Sequence, residues 1–226
     1  MINTINLTSE EKHLIEQNKS FVLSEIIGTL IHQLKQPLNA IAISMISIET
    51  KVELDVINNT GLTKITNRVH ESLQELSLDL DYFKEYFIPS NLIELDILYL
   101  TKDIVKLLEV QFSKYKITIE LNYTSNEYYL QGYKDKYQQI LFYILLNLKN
   151  YIKELQEKED NQDYTIINMD LDINNDNKIQ LIIKADIQNI KLKDDLVATK
   201  IILEKYFKGS LEITINATYL EYKLIF

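Results

Sequence analysis

The residues of this chain best suited to chemistry stand together in one short string, His32-Gln33-Leu34-Lys35-Gln36-Pro37-Leu38-Asn39-Ala40-Ile41. A neutral imidazole is a nucleophile near physiological pH, with a reference pKa of about 6.5. It can attack phosphorus and hold the phosphoryl group as a labile phosphoramidate. His32 lies two residues from Leu30 and from Leu34, so on a helix it faces away from the apolar stripe those leucines define. Pro37 follows five residues later, where it removes a backbone hydrogen bond and is expected to bend the helix. An exposed imidazole beside such a bend is reachable by a partner's active site. Gln36, four residues on from His32, shares its face.

Composition removes most competing chemistries. The chain has no cysteine, so disulfides, thiolate metal sites and cysteine nucleophiles are excluded. It has four glycines, Gly28, Gly61, Gly132 and Gly209, too few and too scattered for a P-loop or a GxGxxG turn. The net charge of -9 argues against a general nucleic-acid binder, because neutralising phosphates needs a basic face. No segment reaches the roughly 18 apolar residues of a membrane span. The opening MINTINLTSEEK lacks the basic and apolar regions of a signal peptide. A cytoplasmic protein without a membrane span is expected. His13 reads as an exposed residue of the first helical turn. His70 has no metal-ligand partner at i+4.

Two long helices must position His32. Thr8 and Glu11 are spaced as a capping box, which starts the first helix near Ser9. Its apolar stripe is Leu23, Ile27, Leu30, Leu34, Leu38, Ile41, Met45 and Ile48. The period fails over VELDVINNTGLT, which holds Gly61 and reads as the turn. A second helix resumes with Leu62, Ile65, Val69, Leu73, Leu76, Leu80, Phe83 and Phe87. It stops at Ile88-Pro89, because the residue before proline avoids the α region. A hairpin with one stripe per helix buries both stripes by pairing with a second copy as a four-helix bundle. A homodimer through residues 20–88 is expected.

From residue 91 the pattern becomes mixed. Strands are predicted near 92–95, 116–122, 127–131, 163–173, 178–185, 209–216 and 218–225. Helices are predicted near 98–113, 134–157 and 194–207. The fold class is α+β, a dimerising helical hairpin over 1–90 followed by an α/β sandwich over 91–226 with one sheet face covered by helices.

The string HQLKQPLNAI resembles the H-box of sensor histidine kinases, in the subgroup reading HQxxQPLN. LDLDYFKEYFIPS resembles the DDFRxFFxP segment that closes the hairpin in that subgroup. The resemblance implies that His32 is the phosphoacceptor. It places Gln33 where an acidic residue often polarises the histidine. It also places Gln36 where a polar side chain helps position a water that removes phosphate from a response regulator. Receiver specificity would then be set just after His32, with Ala42, Ser44 and Ser47 as candidates.

The second half resembles the ATP-binding (GHKL) domain of the same kinases in a degraded form. YKDKYQQILFYILLNLKNYIKEL is similar to the N-box helix, with Asn147 on the asparagine that holds Mg²⁺, Tyr143 replacing an earlier asparagine and Asn150 replacing an aspartate. LIIKADIQNI resembles the strand entering the DxGxG box, with Asp186 on the adenine-binding aspartate and Ile187-Gln188-Asn189-Ile190 in place of the glycine-bearing residues. KDDLVATKIILEKYFKGSLEI resembles GLGLYISKxIIE followed by GGxI, with Lys193 and Asp195 standing for two glycines. About seven residues separate Asp186 from Lys193, too few for the F-box and the ATP-covering lid. Those glycines let backbone N–H groups approach the triphosphate. Their loss, and the added charge of Asp195, imply weak or absent ATP binding.

The expected function is that of a two-component signalling protein exchanging a phosphoryl group between His32 and the receiver aspartate of a response regulator. It resembles the dimeric histidine phosphotransferases and requires no cofactor. One alternative is an active ATP-dependent sensor histidine kinase with an unusual lid, which would use ATP and Mg²⁺ through Asn147 and Asp186. Another is a non-catalytic dimeric scaffold.

Overall fold

A computed structural model describes residues 5–56, 58–159, 164–187 and 196–226. The side chains of residues 29, 32, 78, 79 and 81–87 lie outside that description, although their backbone belongs to helices.

The first helix, α1, spans Ser9–Glu53. The capping box forms as its sequence requires. The Thr8 N–H donates to Glu11 Oε2 at 2.7 Å, and the Glu11 N–H donates to Thr8 Oγ1 at 3.1 Å. The helix continues through Pro37, which is buried. The second helix, α2, spans Asn59–Phe87 and is capped by Asn58, whose Oδ1 accepts from the Gly61 N–H at 2.7 Å. Gly61 therefore sits in the first turn of α2 and not in the connection. Just past the end of α1, Asp55 takes a left-handed conformation with φ of 54°. Ile88 ends α2 in an extended conformation before Pro89.

The chain divides into two compact units, Ser24–Ile88 and, separately, residues up to Leu23 together with Pro89–Phe226. The first four turns of α1, expected with the hairpin, therefore belong to the α/β unit.

In the α/β unit the strands are β1 (Leu92–Asp96), β2 (Ile117–Tyr123), β3 (Tyr129–Tyr133), β4 (Thr165–Ile173), β5 (Ile179–Ala185), β6 (Ser210–Ile215) and β7 (Leu220–Ile225). The helices are α3 (Ile97–Ser113), α4 (Lys134–Glu159) and α5 (Val197–Ile202), which runs on into a π-helical turn, Leu203–Phe207. Five strands make a mixed sheet in the order β2-β4-β5-β7-β6. Only β2 and β4 run parallel. β1 and β3 form a separate antiparallel pair.

Alternation decides which sheet face is buried. Ile167, Met169 and Leu171 of β4, Leu181 and Ile183 of β5, and Leu220, Tyr222 and Leu224 of β7 are buried. Their neighbours in sequence, such as Asp170, Lys184 and Lys223, face the open side. α3 and α4 supply the other half of the core through Ile104, Leu108, Phe112, Ile140, Leu141 and Ile144. Two buried phenols lock the layers. Tyr137 on α4 hydrogen-bonds Thr101 on α3 at 2.6 Å, and its burial raises the phenol well above its ordinary range. The Tyr128 hydroxyl donates to Leu171 O and accepts from the N–H groups of Thr124 and Ser125, pinning the β2–β3 loop to β4. Among the described residues no helix is long and apolar enough to cross a membrane.

Candidate functional site

Within the Ser24–Ile88 unit, His32, Gln36, Asn39, Ile43 and Ile46 recur at helical spacing on the side of α1 opposite the apolar stripe. Gln33 is half-buried and Gln36 is exposed. Of the three receiver-specificity candidates, Ala42 is exposed, Ser47 is half-buried and Ser44 is 4% exposed. Ser44 therefore cannot meet a partner without rearrangement, which corrects that expectation. On the His32 side of α1 the exposed large apolar residues that follow are Ile43 and Ile46, 64% and 60% exposed. Sequence reasoning passed them over because they lie off the stripe. Isoleucine on the polar side of an amphipathic helix was the available signal.

Part of the stripe is open to solvent in a single chain and the rest is half-buried. Ile27, Leu38 and Met45 of α1, and Leu73 and Leu80 of α2, are exposed. Fully burying one such side chain is worth about 1.5–3 kcal/mol, so the isolated hairpin leaves a large favourable term unrealised.

In the α/β unit lie the two residues aligned with a nucleotide site, Asn147 and Asp186. Asn147 on α4 is half-buried, and its Nδ2 donates to the Tyr143 carbonyl of its own helix at 2.8 Å. Asp186 follows the last residue of β5, with its side chain 72% exposed and 3.8 Å from Lys184 Nζ. Among the described residues no hydrogen bond or ion pair joins Asn147 to Asp186. Residues 188–195, which include Gln188, Lys193 and Asp195, lie outside the described residues.

The side of α4 bearing Gln139 and Tyr143 is covered by the start of α1. Gln139 is buried, and its Nε2 donates to Ile15 O and to Asn18 Oδ1, both at 2.9 Å. One turn later Tyr143 meets Phe21 edge-to-face, with ring centroids 5.3 Å apart. Ile15, Asn18 and Val22 are buried. Glu11 reaches Lys205 of the π-helical turn at 3.2 Å. This contact was legible as the step from Ile15 to Val22, one residue out of phase with the Leu23–Ile27–Leu30 stripe.

Asn147 offers one amide oxygen, and among the described residues no group of three or more His, Asp or Glu stands together as a metal site made by protein alone. His70 is exposed and lies 3.4 Å from Gln74 Nε2, an ordinary surface contact.

The element order and register define a helical hairpin joined to an α/β unit with a five-stranded mixed sheet covered by helices. No family model matches the chain, and no curated protein matches it. Solved structures similar to it are those of histidine kinases. AdeS of Acinetobacter baumannii is 16% identical, with a TM-score of 0.46, covering 86% of this chain and 96% of that one. A histidine kinase of Burkholderia phymatum is 12% identical, with a TM-score of 0.46 over 97% and 98% of the two chains. The histidine kinase ThkA, in complex with the response regulator TrrA, is 13% identical, with a TM-score of 0.43 over 97% and 67%.

Proposed function

We propose that this protein carries a phosphoryl group on His32 and exchanges it with the aspartate of a response-regulator receiver domain, without binding ATP itself. The observation that carries the reading is the HQLKQPLN string on α1, whose apolar stripe leaves Ile27, Leu38 and Met45 exposed. In the phosphotransfer step a neutral imidazole nitrogen of His32 attacks the phosphorus of the receiver's aspartyl phosphate. An N–P bond forms, the acyl O–P bond breaks and the aspartate leaves as carboxylate. The reverse step returns the group. Gln36, on the same face, is suited to orient a water at phosphorus, and Gln33 to fix the imidazole by hydrogen bonding. The receiver docks beside His32 on Ile43 and Ile46, whose exposed side chains offer a small apolar surface. Two hairpins pair as a four-helix bundle through residues 20–88.

Two features support the absence of nucleotide chemistry. Tyr143 stands where the resemblance calls for an asparagine and is packed by Phe21. The glycines that would cradle phosphates are replaced. The α/β unit then serves as a docking surface and not as a nucleotide site. Calorimetric titration of the purified protein with ATP and Mg²⁺ tests this half of the reading. No heat of binding up to millimolar nucleotide is expected, and saturable binding would establish a nucleotide-using enzyme instead.

A further inference from the structure

We propose that the groove between β2 and α3 is a docking site for an extended, acidic-apolar segment of a partner protein, which adds as a sixth strand beside β2. β2 is an end strand of the five-stranded sheet, so among the described residues one of its two backbone edges is unpaired. An open edge is a template for another chain. Proteins usually blunt it with proline, lysine or a short strand. β2 is seven residues long, Ile-Thr-Ile-Glu-Leu-Asn-Tyr, and carries none of these devices.

Beside this edge α3 leaves a cavity of about 510 Å³. Its floor is apolar, made by Val105 and Phe112 of α3 and Ile117, Ile119 and Leu121 of β2. The helix-facing side chains of an added strand would enter it, as alternate residues of a strand do. That feature selects an alternating apolar sequence.

The rim selects charge. Lys102 and Lys106, one turn apart on α3 and both exposed, line the groove, against the single carboxylate of Glu109. Lys102 Nζ lies 4.2 Å from the centre of the Tyr123 ring, which places the basic end at the C-terminal end of β2. Although Asp103 stands between them in sequence, these two ammonium groups outnumber the one carboxylate of the lining and complement an acidic segment whose carboxylates reach Lys102 and Lys106. This surface is independent of the phosphotransfer reading, because neither His32 nor the α1 face contributes to it.

The test uses the full chain and an acetylated eight-residue peptide alternating valine with glutamate. A valine–lysine peptide and a peptide N-methylated at alternate residues serve as controls. NMR titration and amide exchange are the readouts. The expected result is saturable binding, shifts on α3 and β2, and new exchange protection along β2. Affinity is expected to fall about fivefold in Lys102→Glu/Lys106→Glu, whose exposed positions leave the fold intact. Both control peptides are expected to fail. No binding of the acidic peptide, equal binding of the basic one, or shifts mapping to other surfaces would overturn the proposal. So would protection of β2 that rises with protein concentration alone, which would make a second copy the occupant.

Discussion

Replacing Gln139 by leucine keeps most of its volume and removes the two donations that tie α4 to the start of α1. The Ile15 carbonyl loses a partner at 2.9 Å, and so does Asn18 Oδ1. Asn18 is 3% exposed and its Nδ2 already has no partner, so the variant leaves a whole amide buried and unpaired. A net hydrogen bond is worth about 1 kcal/mol, and a stranded buried polar group costs about 1–3 kcal/mol. Together these weaken the attachment of the first four turns by about 2–4 kcal/mol. At about 1.4 kcal/mol per factor of ten, amide exchange over residues 9–23 should accelerate roughly 30- to 700-fold. Exchange in α2, which belongs to the other unit, should stay unchanged. Hydrogen-exchange mass spectrometry of the full chain reads both. Acceleration under threefold over 9–23, or equal acceleration everywhere, would refute the view that these turns are held to α4 by this side chain.

Other predictions follow from local geometry. A Cβ at Gly209 would lie 2.1 Å from the backbone oxygen of Ile225, so Gly209→Ala should destabilise the chain by about 3 kcal/mol in urea denaturation. Its neighbour Lys208 is exposed with φ of 56°, so Lys208→Gly should stabilise by about 1 kcal/mol in the same assay. Leu73→Asp puts charge on the open stripe of α2. It should shift the chain toward monomer in sedimentation equilibrium while leaving its circular dichroism unaltered. Glu11 is held below its ordinary pKa, first by the Thr8 backbone N–H and then by Lys205. A lowered folded-state value contributes stability above the ordinary carboxylate range that is lost as pH falls through the folded-state value. The melting temperature should therefore decline on acidification, and the decline should be shallower in Glu11→Gln.

Much of the architecture was legible because its signals are local. The capping box at Thr8 and Glu11, the stop before Pro89 and the alternation of β4, β5 and β7 each fix an element without tertiary help. Gly61 misled, because glycine in a gap of apolar period reads as a turn, whereas Asn58 capped the helix just ahead of it. The seating of α1 on α4 was missed because the Leu23–Ile48 stripe dominates the period, and the earlier stripe through Ile15 and Val22 runs out of phase with it. Ile43 and Ile46 were missed for a related reason, since pattern reading assigns apolar residues to a buried face. Whether Asn147 and Asp186 meet is a long-range question that residue types alone do not answer. Asn147 hydrogen-bonds within α4, and Asp186 lies beside Lys184 of β5.

The most direct test of the central claim is transfer of radiolabelled phosphate from a phosphorylated receiver domain to this protein, beside His32→Ala. Acid-labile label on the wild-type chain and none on the variant is the predicted result. Failure of the wild type to gain label from any receiver of its own cell would contradict phosphotransfer and leave a dimeric scaffold. Label gained equally by His32→Ala would show that a different residue carries the group.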